Sequence, residues 1–418
     1  MSASTRGRAT ARPERGGKAA AAPPLEYSLL LTATLCLLAF GAVMVFSASS
    51  ARSLLNSGGS GFYYLERTLI YAAIGLLAMR VAAVRGVAAI QTLTPLIVVG
   101  SMVLLFAVLL PGIGHQANGA QRWVGAGMLQ FQPSELAKIA IVIFLASYLR
   151  DNRQILVTAG RRVLGVTIPP MKQFGPMLIV WGAAMGTLLI TRELGTSLMF
   201  FGAFLALLYV ATGRLSFPLI GLGAFALGAW YLAGHVSHVH ARVLAWEHPF
   251  DPSLYSRPFG GSYQLAQSLF AQADGGLLGR GFDQSLLRGA HDGPSILPVP
   301  ESDMIYAVIV NELGLVGGMA LLGVYLLFIA RGLKTAVLAR DSFSKLLATG
   351  LSFVLALQVF VIVGGVTRVI PLTGVTLPFV AYGGSSVVMN FVLVALLLVV
   401  SDRARRPYES SRRAPPRR

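Results

Sequence analysis

Residues 303–330 read DMIYAVIVNELGLVGGMALLGVYLLFIA, and after the leading aspartate only one further charge, Glu312, interrupts 27 residues. About 20 apolar residues cross the hydrocarbon core of a bilayer, so this stretch is long enough to span it with some tilt. Apolar residues occupy its whole circumference, which a half-solvated surface helix would not tolerate. Working outward, comparable stretches recur at 27–47, 68–84, 88–111, 135–149, 174–191, 195–212, 215–235, 344–366 and 374–401. The sequence therefore predicts an all-α polytopic membrane protein with ten transmembrane helices. Composition agrees: of 418 residues 55% are hydrophobic and 12% charged, whereas soluble domains carry about 25% charged residues.

The net charge of +17 gains its meaning from where it sits. Arg6, Arg8, Arg12, Arg15 and Lys18 open the chain and Arg403, Arg405, Arg406, Arg412, Arg413, Arg417 and Arg418 close it. With both tails cytoplasmic, the tails and the loops 80–87, 149–173, 213–214 and 331–345 hold 24 Lys and Arg against 6 Asp and Glu, and the other side 10 against 11. That is the positive-inside pattern, and it replaces nucleic acid as the explanation of the charge. The expected division is a disordered basic cytoplasmic tail (1–25), a transmembrane domain (26–402) and a second basic cytoplasmic tail (403–418). The segments 112–134 and 236–302, both on the outer side and rich in aromatic residues, are too long to be simple connections. The second is a large extracellular loop between the seventh and eighth helices. Cys36 is the only cysteine, so disulfides within the chain are excluded.

Ionisable residues gather near the outer helix ends: Glu135 and Lys138, Arg192 and Glu193, Glu301 and Asp303, Glu312 and Arg368. At membrane depth such groups mark function or pair with one another, and a helix-locking ion pair is the competing reading for each. Asp303 opens its helix, where it either caps the N-terminus or, with its pKa raised beside lipid, serves as a general base. GGLLGRG (275–281) and YGGSS (382–386, with Ser385 and Ser386) either offer backbone N–H groups to a phosphate or are glycine turns and close packing. No phosphate-binding GxxxxGK[ST] loop, GxGxxG unit or zinc-type spacing is present. The histidines of HVSHVH (235–240) have no partner set for a metal. The residues alone thus imply an external site at membrane level, with a carboxylate and cations suited to an anionic amphiphile.

Six stretches in order, MVFSASS (44–50), NGAQRWVGAGMLQFQPSELAKIAIVIFLASYL (118–149), LGTSLMF (194–200), YQLAQSLFAQADGGLLGRG (263–281), PESDMIYAVIVNELGLVGG (300–318) and VIPLTGVTLPFVAYGGSS (369–386), resemble the FtsW/RodA/SpoVE (SEDS) family over roughly 27–402. TRVIPLTG and ESD look most like actinobacterial RodA or FtsW-like members. The resemblance implies a peptidoglycan glycosyltransferase that polymerises lipid II on the outer face of the bacterial cytoplasmic membrane. It would work beside a class B penicillin-binding protein and other elongasome or divisome proteins. The family's essential acidic residue falls on Asp303. Arg122, Lys138, Arg242 and Arg280, or a divalent cation (Mg or Mn), are the candidates for stabilising the leaving diphosphate. Glu135 pairs with Lys138 or joins the site, and Gln264, Gln267 and Ser268 shape the loop or bind sugar. The chain departs from the family at RELGT (192–196) for PDLGT, at NELG (311–314) for EELG, and at Ile362 where asparagine is common. A lipid II flippase and a non-catalytic scaffold for a transpeptidase are the alternative readings.

Overall fold

The protein, seen in a computed structural model, is described for residues 25–56, 60–117, 120–125, 130–158, 161–163, 166–168, 170–255, 257, 260–284 and 297–405. Among them are helices α1 (Leu25–Asn56), α2 (Tyr63–Ala107), α3 (Pro133–Thr158), α4 (Met171–Ile190), α5 (Leu194–Thr212) and α6 (Ser216–His235). They continue with α7 (Ser237–Glu247), α8 (Pro252–Tyr255), α9 (Tyr263–Gly275), α10 (Ile305–Leu338), α11 (Ser342–Val366) and α12 (Gly384–Arg405). The predicted tails 1–25 and 403–418 fall almost wholly outside the described residues.

Two small antiparallel hairpins qualify the all-α expectation: β1 (Gly114–Ala117) with β2 (Ala120–Val124), and β3 (Arg161–Val163) with β4 (Val166–Ile168). The sequence between β1 and β2 is Asn118-Gly119, a strong hairpin signal that the helical reading passed over. β2 is extended by an antiparallel bridge from Val124 to Phe131, which leads into α3.

Eight helices among the described residues are long and apolar enough to cross a membrane: α1, α2, α4, α5, α6, α10, α11 and α12. α2 has 45 residues and consists of two helices joined at Gly86, whose φ of 71 and ψ of 172 are non-helical. The predicted stretches 68–84 and 88–111 are its two halves. α3, outside the eight, buries Glu135 and Lys138 among apolar neighbours. The predicted span 374–401 begins as a helix only at Gly384; the apolar residues before it are non-helical, with Gly374 (φ 71) and Phe379 (φ 63) in the left-handed region.

In lipid, helices gain little from apolar burial against one another, so close packing and polar cross-links hold the bundle. α10 packs on α1, α9 and α11, and α12 on α2. Ser47 of α1 donates to Glu312 Oε1 of α10 at 2.6 Å. Tyr325 of α10 donates to the Pro378 carbonyl at 2.6 Å. α11 and α12 are the most enclosed helices, whereas α6 buries only Phe217.

α10 is broken at Gly314 (φ 72, ψ −177), and GGLLGRG fills the break. Arg280 and Gly281 N–H donate to the Asn311 and Glu312 carbonyls, each at 2.9 Å, while Leu315 and Val316 N–H donate to the Gly276 and Leu277 carbonyls at 2.9 and 3.2 Å. A Cβ on Gly279 would meet the Glu312 carbonyl, and one on Gly314 the Leu277 carbonyl. Of the two readings of this motif the structure supports close packing, because the N–H groups of 279–281 are already engaged by protein carbonyls.

Candidate active site

The first turns of α2, α3, α5, α9, α10 and α12, or the residues just before them, converge on one cavity of about 750 Å³. Each helix N-terminus presents unpaired N–H groups and about half a positive charge, so the convergence favours an anionic ligand. Asp303, which immediately precedes the N-cap Met304 of α10, lines this cavity with Glu301 and Ser302.

Asp303 and Arg122 face each other across Gly374, whose absent Cβ would lie 3.8 Å from both Asp303 Oδ2 and Arg122 Nη1. Arg122 is carried by β2, and its Nε is buried with no protein acceptor. Arg242, on α7, reaches the same side and donates from Nη1 to the Leu372 and Thr373 carbonyls at 3.1 and 3.2 Å. Burial raises the Asp303 carboxyl to about 6; its backbone hydrogen bond and Arg122 work against this, and Glu301's charge adds to it. Burial, with Arg122's charge, lowers Arg242 to about 10, so it stays cationic at neutral pH. A carboxyl whose pKa is raised toward neutrality, beside two cations, is suited to taking a proton while negative charge develops nearby.

Two further carboxylates stand at the cavity wall. Glu193 Oε2 accepts from Ser134 Oγ at 2.7 Å, Gln132 Nε2 at 3.0 Å and Thr196 Oγ1 at 3.1 Å. Burial nonetheless pushes its pKa up. It follows Arg192, whose φ of 62 places a non-glycine residue in the left-handed region. Glu135 binds Lys138, and Lys138 Nζ donates to Glu135 Oε2 at 2.8 Å and to Gln358 Oε1 at 2.9 Å. Gln358 in turn donates to the Thr376 carbonyl at 2.8 Å, so the chain of bonds ends on a residue of the cavity wall.

α2 and the approach to α12 also contribute aromatic rings and one cation to the cavity. Arg67 lies 4.1 Å over the Tyr63 ring and hydrogen-bonds Tyr382. Tyr382 packs edge-on against Tyr64 at 4.9 Å. Burial raises the Tyr382 hydroxyl to about 12. The Tyr382 N–H is held by the Glu301 carbonyl at 2.8 Å, which ties this wall to the segment bearing Asp303.

The sequence profile of the FtsW/RodA/SpoVE family, described as "Cell cycle protein", matches residues 27–406. The chain belongs to this family. It is 41% identical over 308 residues to the peptidoglycan glycosyltransferase RodA of Mycobacterium tuberculosis, covering 74% of this chain and 63% of that one. The chain thus spans less than two thirds of that relative. It is 34% identical over 384 residues to the stage V sporulation protein E of Bacillus subtilis, covering 90% and 97%. Among solved structures, one reported as "Structural coordination of polymerization and crosslinking by a peptidoglycan synthase complex" superposes with a TM-score of 0.69 at 25% identity, covering 90% of this chain and 98% of that one. The rod shape-determining protein RodA of Thermus thermophilus shares the fold, with a TM-score of 0.62 at 24% identity, covering 90% and 97%. As a FtsW/RodA/SpoVE member with these apolar helices, the protein is a multi-pass membrane protein.

The cavity of this FtsW/RodA/SpoVE member gathers six of the residues nominated from sequence: Asp303, Arg122, Glu135, Arg242, Gln264 and Ser386. The others lie elsewhere. Lys138 is buried behind Glu135, and Ser385 accepts from the Gln132 N–H at 3.0 Å. Ser268 donates to the Val366 carbonyl at 3.0 Å, holding α9 against the end of α11. Gln267, on the same helix, is outside the lining, and Arg280 is exposed and ion-paired with Asp274. Sequence reasoning noted Glu193 and Glu301 without nominating them and missed Arg67, Tyr64, Tyr382 and Thr376. Arg67 had a signal, a lone cation in the first turns of an otherwise apolar helix.

Lys138 is 1% exposed, and breaking a buried pair by removing one partner leaves an uncompensated charge worth roughly 3–5 kcal/mol. Lys138→Met is therefore expected to lower the thermal unfolding midpoint sharply, and Glu135→Gln in the same chain to restore much of it. A double variant no more stable than Lys138→Met would show that the pair does not act as a unit.

Proposed function

We propose that this protein is an inverting peptidoglycan glycosyltransferase that polymerises lipid II, with Asp303 as general base. The observation that carries the reading is the pairing of a carboxyl near pKa 6 with Arg122 and Arg242 in a cavity built from helix N-termini. The acceptor's GlcNAc 4-hydroxyl gives its proton to Asp303, and its oxygen bonds to the donor's anomeric carbon. The bond from that carbon to the diphosphate breaks, undecaprenyl diphosphate leaves with the electron pair, and α becomes β. Arg122 and Arg242 face the charge that develops on the leaving group. Among the described residues no three His, Cys, Asp or Glu side chains form a metal cage; Glu135 is bound by Lys138, and Glu193 by Ser134, Gln132 and Thr196. That donor set does not fit an all-protein cage for Mg or Mn.

Helix polarity supports ten crossings. The N-termini of α2, α3, α5, α10 and α12 share one cavity, so the chain crosses an even number of times between each consecutive pair of these starts. That requires α2 to cross twice, once on each side of Gly86, and α3 to cross with α4. The charge asymmetry then puts both tails in the cytoplasm, and the cavity with the α6–α10 segment outside. A class B penicillin-binding protein is the partner that would cross-link the product, as the synthase complex named above couples the two activities. The test is glycan formation from fluorescent lipid II by the purified protein with that partner, moenomycin silencing other polymerases. Long glycans from the wild type support the reading. An intact complex that binds lipid II and makes none would overturn it in favour of a flippase.

A further inference from the structure

The reaction proposed above joins two molecules that both carry a polyprenyl diphosphate, and only one of these groups leaves. The leaving diphosphate departs from the face of the reacting carbon opposite the attacking oxygen, and in that reading Arg122 and Arg242 hold it. The acceptor's diphosphate lies at the other end of a disaccharide from the attacking hydroxyl. It needs a second cation, one disaccharide length from the base and at headgroup depth, so that its prenyl chain can run into lipid.

Arg67 is the candidate. It lines the same cavity from a different helix, in contact with Tyr382, whose N–H is bound to Glu301. It lies in the second turn of an apolar helix that exposes Leu69 and Ile70 just below it. Among the described residues no carboxylate neutralises it; its contacts are the Tyr63 ring and the Tyr382 hydroxyl. Those contacts hold the guanidinium in one place while leaving donors for an anion. The Tyr64 and Tyr382 rings, which line the same cavity, offer flat surfaces of the kind on which a sugar face can rest. Arg257, the remaining lining arginine, is exposed on the loop before α9, away from a membrane helix.

We propose that Arg67, held by Tyr63 and Tyr382, forms a second diphosphate subsite that binds the acceptor lipid, separate from the leaving-group subsite of Arg122 and Arg242. The inference rests on the polymerase reading. Native mass spectrometry of the detergent-solubilised Asp303→Asn protein, which binds without turnover, counts lipid II bound per chain. Two are expected for Asp303→Asn, one when Arg67→Ala is added, and two when Arg67→Lys is added instead. In the otherwise native protein, Arg67→Ala is expected to raise KM for lipid II about tenfold or more, the size of a lost charge-assisted hydrogen bond, with kcat far less affected. Tyr382→Phe, which keeps the ring and frees Arg67, should raise KM in the same direction and serves if Arg67→Ala does not fold. One lipid II on Asp303→Asn alone, two after Arg67→Ala, or a loss confined to kcat would overturn the subsite. Absence of glycan from the native protein would instead count against the polymerase reading, and the binding count would still report on the subsite.

Discussion

Asp303→Asn is expected to reduce glycan formation at least about 100-fold, the lower end of what general-base catalysis contributes, while the protein still folds and binds lipid II. Asparagine preserves shape and hydrogen bonding but cannot take the acceptor's proton. The same assignment fixes a pH profile. Burial raises the Asp303 carboxyl to about 6, so the protonated, inactive form persists to higher pH than for an ordinary aspartate. Activity should rise through pH 6 and level off above 7; one unit below the pKa only about a tenth of the protein carries the base. Rates measured from pH 5 to 8 would show this limb in the native protein. A flat profile, or a variant keeping more than about a tenth of native activity, would remove Asp303 from the proposed role.

Gly314→Ala should be the most damaging change outside the cavity. Its φ of 72 costs an L-residue about 1–2 kcal/mol, and the new methyl would meet the Leu277 carbonyl. Relief of that clash separates GGLLGRG from α10 and breaks the backbone hydrogen bonds that cross the seam. A loss of about 3 kcal/mol or more is expected, read as a collapse of the thermal midpoint or of monodisperse protein in detergent. Gly279→Ala should act in the same direction, since its Cβ would meet the Glu312 carbonyl. Were the motif a phosphate cradle, Gly279→Ala would instead raise KM in a normally stable protein.

The helices were legible because twenty apolar residues have few other fates, and Asp303 because a charge at the head of such a stretch stands out. What escaped the sequence was geometry set by distant partners. The predicted start at 374 failed because apolar residues can line a cavity in extended form as readily as they fill a helix. Arg280 looked like a phosphate ligand until Asp274 appeared beside it, and Arg67 was missed because its partner Tyr382 lies more than 300 residues later in the chain. The motifs named the neighbourhood; which side chains face inward depends on pairings that no local pattern encodes.

The insertion of GGLLGRG into the break of α10 makes one cooperative unit of a loop and a buried helix. In amide hydrogen exchange, the Arg280, Gly281, Leu315 and Val316 N–H groups, each bonded across that seam, are expected to open in a single step with a shared protection factor. Loosening the loop would then register about a third of the way along α10.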